Sequence, residues 1–244
     1  MLENIRFVLL GTTHSGNIGA AARAMKTMGL TDLALVQPED FPSSQATSRA
    51  SGADDLLHNA AICKDVVSAL ENSKLVLGTT ARMRHCDIPV IDARQAAQLL
   101  YQEASSNKVA LVFGKERYGM TNAEIEHCHY LVRLPTIETF SSLNLASAVQ
   151  VMAYECRMAQ LQAMKKPMEK PTAPKVATDF VSAQVMESFY QHYFKVMQQT
   201  LYLRPQGHDS IKSKIRLMYN RMRPKKHEID ILRGFLSKLE KKLK

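Results

Sequence analysis

Leu134-Pro135-Thr136-Ile137-Glu138-Thr139-Phe140-Ser141-Ser142-Leu143-Asn144-Leu145-Ala146-Ser147 joins a strand-like run, Tyr130 to Leu134, to a long apolar helical pattern. Pro135 cannot donate a ladder hydrogen bond and biases Leu134 toward an extended backbone, so the strand ends there. The polar loop that follows offers backbone amides and hydroxyls to a ligand. Ser-x-Asn then opens the helix among Leu143, Leu145, Ala146, Ala148 and Val149. An unpaired Asn buried in such a setting costs a few kcal/mol, so Asn144 is expected to be buried and committed to a partner.

Four more runs read as buried parallel strands: Ile5–Leu10, Leu33–Val36, Leu75–Gly78 and Val109–Phe113. Each is short, rich in β-branched or aliphatic residues and bounded by Gly, Pro or polar turns. Helical patterns lie between them at Ile18–Met28, Asp65–Glu71, Ala93–Ala104 and Ala123–His127, the last with Thr121 or Asn122 as N-cap. Strand–helix alternation predicts an α/β fold with one mostly parallel sheet, closed by a helix over Leu143–Leu161. Lys165 to Pro174 carries three prolines and breaks all periodicity, which reads as a semi-rigid linker over 165–178. Beyond it, Phe180–Leu201, Ser210–Met222 and His227–Leu243 are helical patterns punctuated by Pro205, Gly207 and Pro224. Val181, Val185, Phe189, Tyr193 and Met197 recur every four residues, the spacing of a packing stripe.

The charge is unevenly distributed. Residues 1–165 hold 15 Lys+Arg and 16 Asp+Glu, whereas residues 166–244 hold 17 and 7. A basic third module points to a polyanion. Arg216, Arg221, Arg223, Lys225 and Lys226 flank the turn at Pro224, with Tyr219 and Asn220 interleaved, and phosphate contact is their expected use. Four cysteines without a C-x-x-C pair fit a reducing, cytoplasmic setting. The apolar run near Met1 is too short for a signal peptide, and no stretch is long enough to span a bilayer, so no membrane partner is expected. His85-Cys86 and His127-Cys128-His129 match no usual zinc spacing, so no metal is expected either.

Gly11-Thr-Thr-His-Ser-Gly16-Asn17-Ile18 superficially matches a phosphate-binding loop, but Asn17 stands where a Lys is needed and Ile18 where a Ser or Thr is. No dinucleotide glycine fingerprint follows Ile5–Leu10. Ala20, Ala21, Ala22 and Ala24 let their helix approach a neighbour closely. Arg23 then stands near the strand ends, placed for a phosphate or carboxylate or simply for a surface ion pair. Gly114 and Glu116 end a very apolar strand, where a carboxylate must pair with an arginine or bind a hydroxyl. Thr79-Thr80-Ala81-Arg82-Met83-Arg84 ends another, with backbone donors and acceptors in its turn and two arginines just beyond it that by themselves read as solvated loop charges.

Read in order, Asn17-Ile18-Gly19-x3-Arg23, Phe113-Gly114-x-Glu116-x2-Gly119 and Leu134-Pro135 through Ser142-Leu143-Asn144-x2-Ser147 resemble the three signature motifs of the SpoU branch of the SPOUT methyltransferases. The resemblance covers about the first two-thirds of the chain. It implies a trefoil knot threaded over about Leu75 to Met158, which periodicity and composition do not show. It also implies S-adenosylmethionine as cofactor, RNA ribose 2′-O-methylation, and a homodimer through the knotted domain. Carried over by position, Thr79, Thr80, Ala81, Gly114, Leu134, Ser141, Ser142 and Leu143 hold the cofactor, and Asn17, Arg23, Glu116, Ser142 and Asn144 form the catalytic corner. Arg23, Arg82 and Arg84 face RNA. The implied division is a methyltransferase domain over 1–164, the linker, and a basic helical RNA-binding domain over 179–244. The 79–84 loop, the third-motif form and the basic extension are similar to bacterial enzymes that methylate cytidine or uridine 32 in the tRNA anticodon loop. Glu138, where glycine is common, and Met120, where Leu is common, depart from the wider pattern. Another tRNA or ribosomal RNA ribose, or a non-catalytic RNA-binding scaffold, are the alternative readings.

Overall fold

The computed structural model describes residues 1–81, 87–165, 179–203 and 209–243. Its centre is a seven-stranded sheet in the order β3-β2-β1-β6-β4-β7-β5. The strands are β1 (Ile5–Leu10), β2 (Asp32–Val36), β3 (Ala61–Cys63), β4 (Ser73–Thr80), β5 (Val90–Asp92), β6 (Lys108–Phe113) and β7 (Tyr130–Arg133). All six pairings are parallel. The five anticipated strands are present with small shifts at their ends. β3 and β5, three residues each at the two edges, carried too little pattern to be expected.

Alternation along the strands builds two cores. Phe7, Leu9, Leu33, Leu35, Leu75, Leu77, Leu111 and Phe113 face one side. It is covered by α1 (Ser15–Thr27), α5 (Ala93–Glu103) and the long α7 (Leu145–Lys165), with α2 (Ser44–Ala50) and α3 (Asp54–His58) outside α1. Val8, Leu10, Ala34, Val76, Ala110, Val112 and Leu131 face the other side, against α4 (Val66–Leu70) and α6 (Asn122–Ile125). Thr121 caps α6 in a reciprocal arrangement with Glu124. Gly19 is where α1 meets α2. A Cβ there would stand 2.0 Å from the Ala46 carbonyl oxygen, so only glycine permits that crossing.

The C-terminal helices α8 (Ala183–Gln199), α9 (Asp209–Met222) and α10 (Lys226–Lys242) form a third core around Phe189, Tyr190, Phe194, Tyr219 and Ile229. The four-residue stripe packs there as expected. Ala183 and Leu217 also pack onto the second face of the sheet, so the helices lie against the sheet unit. Residues 166–178, most of the anticipated linker, lie outside the described residues, as do Pro205 and Gly207. Among the described residues no helix is long and apolar enough to cross a membrane.

Candidate active site

A cavity of about 240 Å³ opens at the carboxyl ends of β4, β6 and β7, where parallel sheets place their ligand sites. All eight expected cofactor-binding positions line it: Thr79, Thr80 and Ala81 after β4, Gly114 after β6, and Leu134, Ser141, Ser142 and Leu143 from the loop before α7. The Thr79 hydroxyl donates to the Val112 carbonyl at 3.2 Å, tying the β4 end to β6. Thr136 Oγ1 donates to Ser141 O at 3.2 Å and folds the third-motif loop on itself. Gly114 has no room for a side chain. A Cβ would come within 2.3 Å of the Gly119 carbonyl carbon and 2.4 Å of the Met120 nitrogen.

Beside the cavity, the three motifs meet in a hydrogen-bonded row. Glu116 accepts from Asn17 Nδ2 at 3.2 Å, from the backbone N–H groups of Thr13 and His14 at 3.3 and 3.4 Å, and from Thr13 Oγ1 at 3.4 Å. Asn17 Oδ1 in turn accepts from Asn144 Nδ2 at 3.0 Å. Asn144 Oδ1 accepts the Ala146 and Ser147 amides at 2.9 and 3.4 Å, capping α7. Partial burial pushes the Glu116 pKa up. Hydrogen bonds from its own amide, Asn17, Thr13 and His14 outweigh this and hold it below the ordinary carboxylate value. The residue is therefore an ionised anchor for the start of α1.

Several expectations change. Asn144 is exposed, not buried; its commitment comes from bridging Asn17 and capping α7. Of the two partners expected for Glu116, it has the hydroxyl, from Thr13, together with amides; among the described residues no arginine pairs with it. Ser142 is exposed on the cavity wall. Arg23 is exposed, outside the row of bonds, and has no hydrogen bond or ion pair among the described residues. It lies six residues beyond Asn17, on another side of α1. Arg82 and Arg84 fall outside the described residues, as do His85 and Cys86.

The basic cluster divides. Arg216 grips Glu187 through two bonds of 2.6 and 2.9 Å, approaches Glu126 at 4.0 Å and lies 4.6 Å over the Tyr190 ring. Arg223 pairs with Glu103 at 3.3 Å and stacks 4.5 Å over Phe180. Both are largely covered, so they fasten helices to the sheet unit and do not present charge to a phosphate, as the run of basic residues had suggested. Lys225 pairs with Asp179 at 3.6 Å. Arg221 and Lys226 stand exposed. Sequence reading missed Thr13 and His14 as amide donors and Lys115, Arg117 and Tyr118 on the cavity wall. The second-motif residues sat inside a stretch already singled out, yet only the folded loop shows which way they face. No group of three or more potential metal ligands occurs among the described residues.

Residues 4–154 match the model of the SpoU rRNA Methylase family, and 184–244 match the C-terminal domain of the tRNA methyltransferase TrmJ. The chain is 44% identical over 243 residues to the tRNA (cytidine/uridine-2′-O-)-methyltransferase TrmJ of Pectobacterium atrosepticum, covering 99% of this chain and 98% of that one. A Pseudomonas aeruginosa relative, named tRNA (cytidine/uridine/adenosine-2′-O-)-methyltransferase TrmJ, is 44% identical over 99% of this chain and 95% of its own length. The crystal structure of TrmJ from Z. mobilis superposes with a TM-score of 0.83 at 32% identity, covering 96% of this chain and 98% of that one. The seven parallel strands, the converging motifs and these end-to-end likenesses lead to one conclusion: the chain belongs to the SpoU methylase family.

Proposed function

We propose that this protein is an S-adenosylmethionine-dependent methyltransferase acting on a tRNA ribose 2′-hydroxyl, with cytidine or uridine 32 of the anticodon loop as its target. The observation that carries the reading is the row Glu116–Asn17–Asn144, which joins all three motifs beside a cavity at the strand ends. The cavity suits the cofactor chemically. Ala81, Leu134, Leu143 and Ala148 supply apolar walls for a flat base, while the turns at Gly114 and Ser141–Leu143 bring backbone groups to its edge. When bound, S-adenosylmethionine supplies a methyl group on a positively charged sulfur, open to in-line displacement by an oxygen.

The chain's own contribution is placement. Asn17 is fixed at both ends of its amide and so orients what approaches the row. Ser142, exposed on the cavity wall and without a hydrogen-bond partner among the described residues, is positioned to hold the ribose hydroxyl. Correct alignment of the reacting groups supplies about 7–11 kcal/mol of the barrier in such reactions. A guanidinium offers a planar fork of donors that matches phosphate oxygens, so the role of Arg23 here is to clamp the adjacent phosphate and stabilise negative charge developing on the ribose oxygen. Its exposure and lack of a partner among the described residues support delivery from a second copy, in a homodimer paired through the segment Leu75 to Met158 threaded as the family's knot. Arg221 and Lys226 on the basic module would then meet the tRNA body. The test is to incubate the protein with radiolabelled S-adenosylmethionine and total tRNA and map the labelled nucleotide. Label on a base, or none on tRNA, would overturn the reading; label on an adenosine ribose would move the target toward the broader range named for the Pseudomonas relative.

A further inference from the structure

The loop after β6 carries a feature that methyl transfer by itself does not use. Lys115 and Gly119 exchange backbone hydrogen bonds, N to O, at 3.2 and 2.8 Å, which closes the loop and leaves Glu116, Arg117 and Tyr118 at its tip. Glu116 turns inward and anchors the tip to Thr13, His14 and Asn17. Tyr118 is thus held on a braced loop, at the lip of the cavity, with 73% of its surface exposed. Among the described residues no ring packs on it and no group hydrogen-bonds its hydroxyl. Lys115 and Arg117 nearby are exposed and have no acidic partner among the described residues. An unpaired aromatic face beside two unpaired cations, on a rigid support, is the chemistry that holds an unstacked nucleobase and its flanking phosphates.

We propose that Tyr118 is a base-stacking platform that selects RNA presented as an unpaired loop, with Lys115 and Arg117 contacting the neighbouring phosphates. This rests on the RNA-directed reading of the cavity and adds what the substrate must expose. A paired helix hides its base faces, so duplex RNA is excluded even where its backbone charge is the same. The ring needs a π face and no hydroxyl, so the interaction depends on aromaticity alone.

The chain contains no tryptophan, which makes Tyr118→Trp a single reporter at this position. The emission of that variant is expected to be quenched by an anticodon stem-loop RNA and to respond little to a fully paired duplex of equal length. Tyr118→Ala is expected to weaken stem-loop binding about tenfold, with Tyr118→Phe close to the native protein. Unquenched indole emission from the Tyr118→Trp variant while the stem-loop binds would overturn the proposal. So would equal quenching by duplex, native RNA affinity in Tyr118→Ala, or a change of oligomeric state by light scattering. The fluorescence readout does not depend on turnover. Quenching without methylation would therefore leave the platform standing and sink the enzymatic reading instead.

Discussion

Asn17 shows how one side chain couples distant motifs. Its amide donates to Glu116 and accepts from Asn144, so replacing it by Ala removes bonds at both ends of the row. Asn17→Ala is expected to cost about 0.5–1.5 kcal/mol of stability, read from the urea midpoint. Methylation should fall by about 10²-fold, because Glu116 and the third-motif loop lose their common reference. At Gly114 the constraint is space. Gly114→Ala drives a methyl into the backbone of Gly119 and Met120, so the Lys115–Gly119 closure has to open. The expected cost is about 1–3 kcal/mol, with calorimetric loss of S-adenosylmethionine binding. Arg23→Lys retains charge but loses the planar fork, and near-native methylation in that variant would remove the clamp role.

At the scale of elements, the junction between the C-terminal helices and the sheet is polar and specific. Ser213 donates to Glu126, the Asn220 amide to the Glu126 carbonyl, and Arg223 to the Lys74 carbonyl at 3.4 Å. Arg216→Met leaves the Glu187 carboxylate without its partner in a largely covered position. It is expected to cost about 2–3 kcal/mol while leaving the salt dependence of tRNA binding nearly unchanged. Arg221→Ala and Lys226→Ala should do the reverse, each lowering the slope of log affinity against log salt by about 1 with little change in stability. His129 lies in the same junction, its Nδ1 accepting the Val76 amide at 3.0 Å. Burial, helped by the Arg223 charge, lowers its pKa to about 4. The unfolded chain binds that proton near pH 6.5 and the folded chain does not. The stabilisation is therefore complete above about pH 6.5 and is lost as pH falls from there toward 4. Urea midpoints measured across this window should decline more steeply for the native protein than for His129→Asn.

For the whole molecule, the basic module is structural cover for the sheet unit and, under the proposed function, the RNA contact as well. Removing residues 166–244 exposes Glu103 and Glu126 and strips Ala183 and Leu217 from the second sheet face. The truncated protein is expected to bind tRNA weakly, as charge alone requires, and also to melt at a lower temperature. Unchanged tRNA affinity would refute the division of labour between the two parts. An unchanged melting temperature would show that the helices contribute nothing to the sheet unit.

Strands with alternating or continuous apolar character, the cap at Thr121 and the three motifs were legible in the amino-acid order, because periodicity and local backbone chemistry act within a few residues of themselves. The edge strands β3 and β5 were not, since three residues carry no period and their existence depends on the neighbour they pair with. The same divide runs through the site. The eight cavity positions followed from family motifs, and the tertiary structure brought them to one wall. Only packing decided which charges remain available. Arg216 and Arg223 meet carboxylates brought from 29 and 120 residues away, while Arg221, between them in sequence, stands exposed. A charged side chain's role depends on what the fold places within about 4 Å of it, and that is a property of three dimensions.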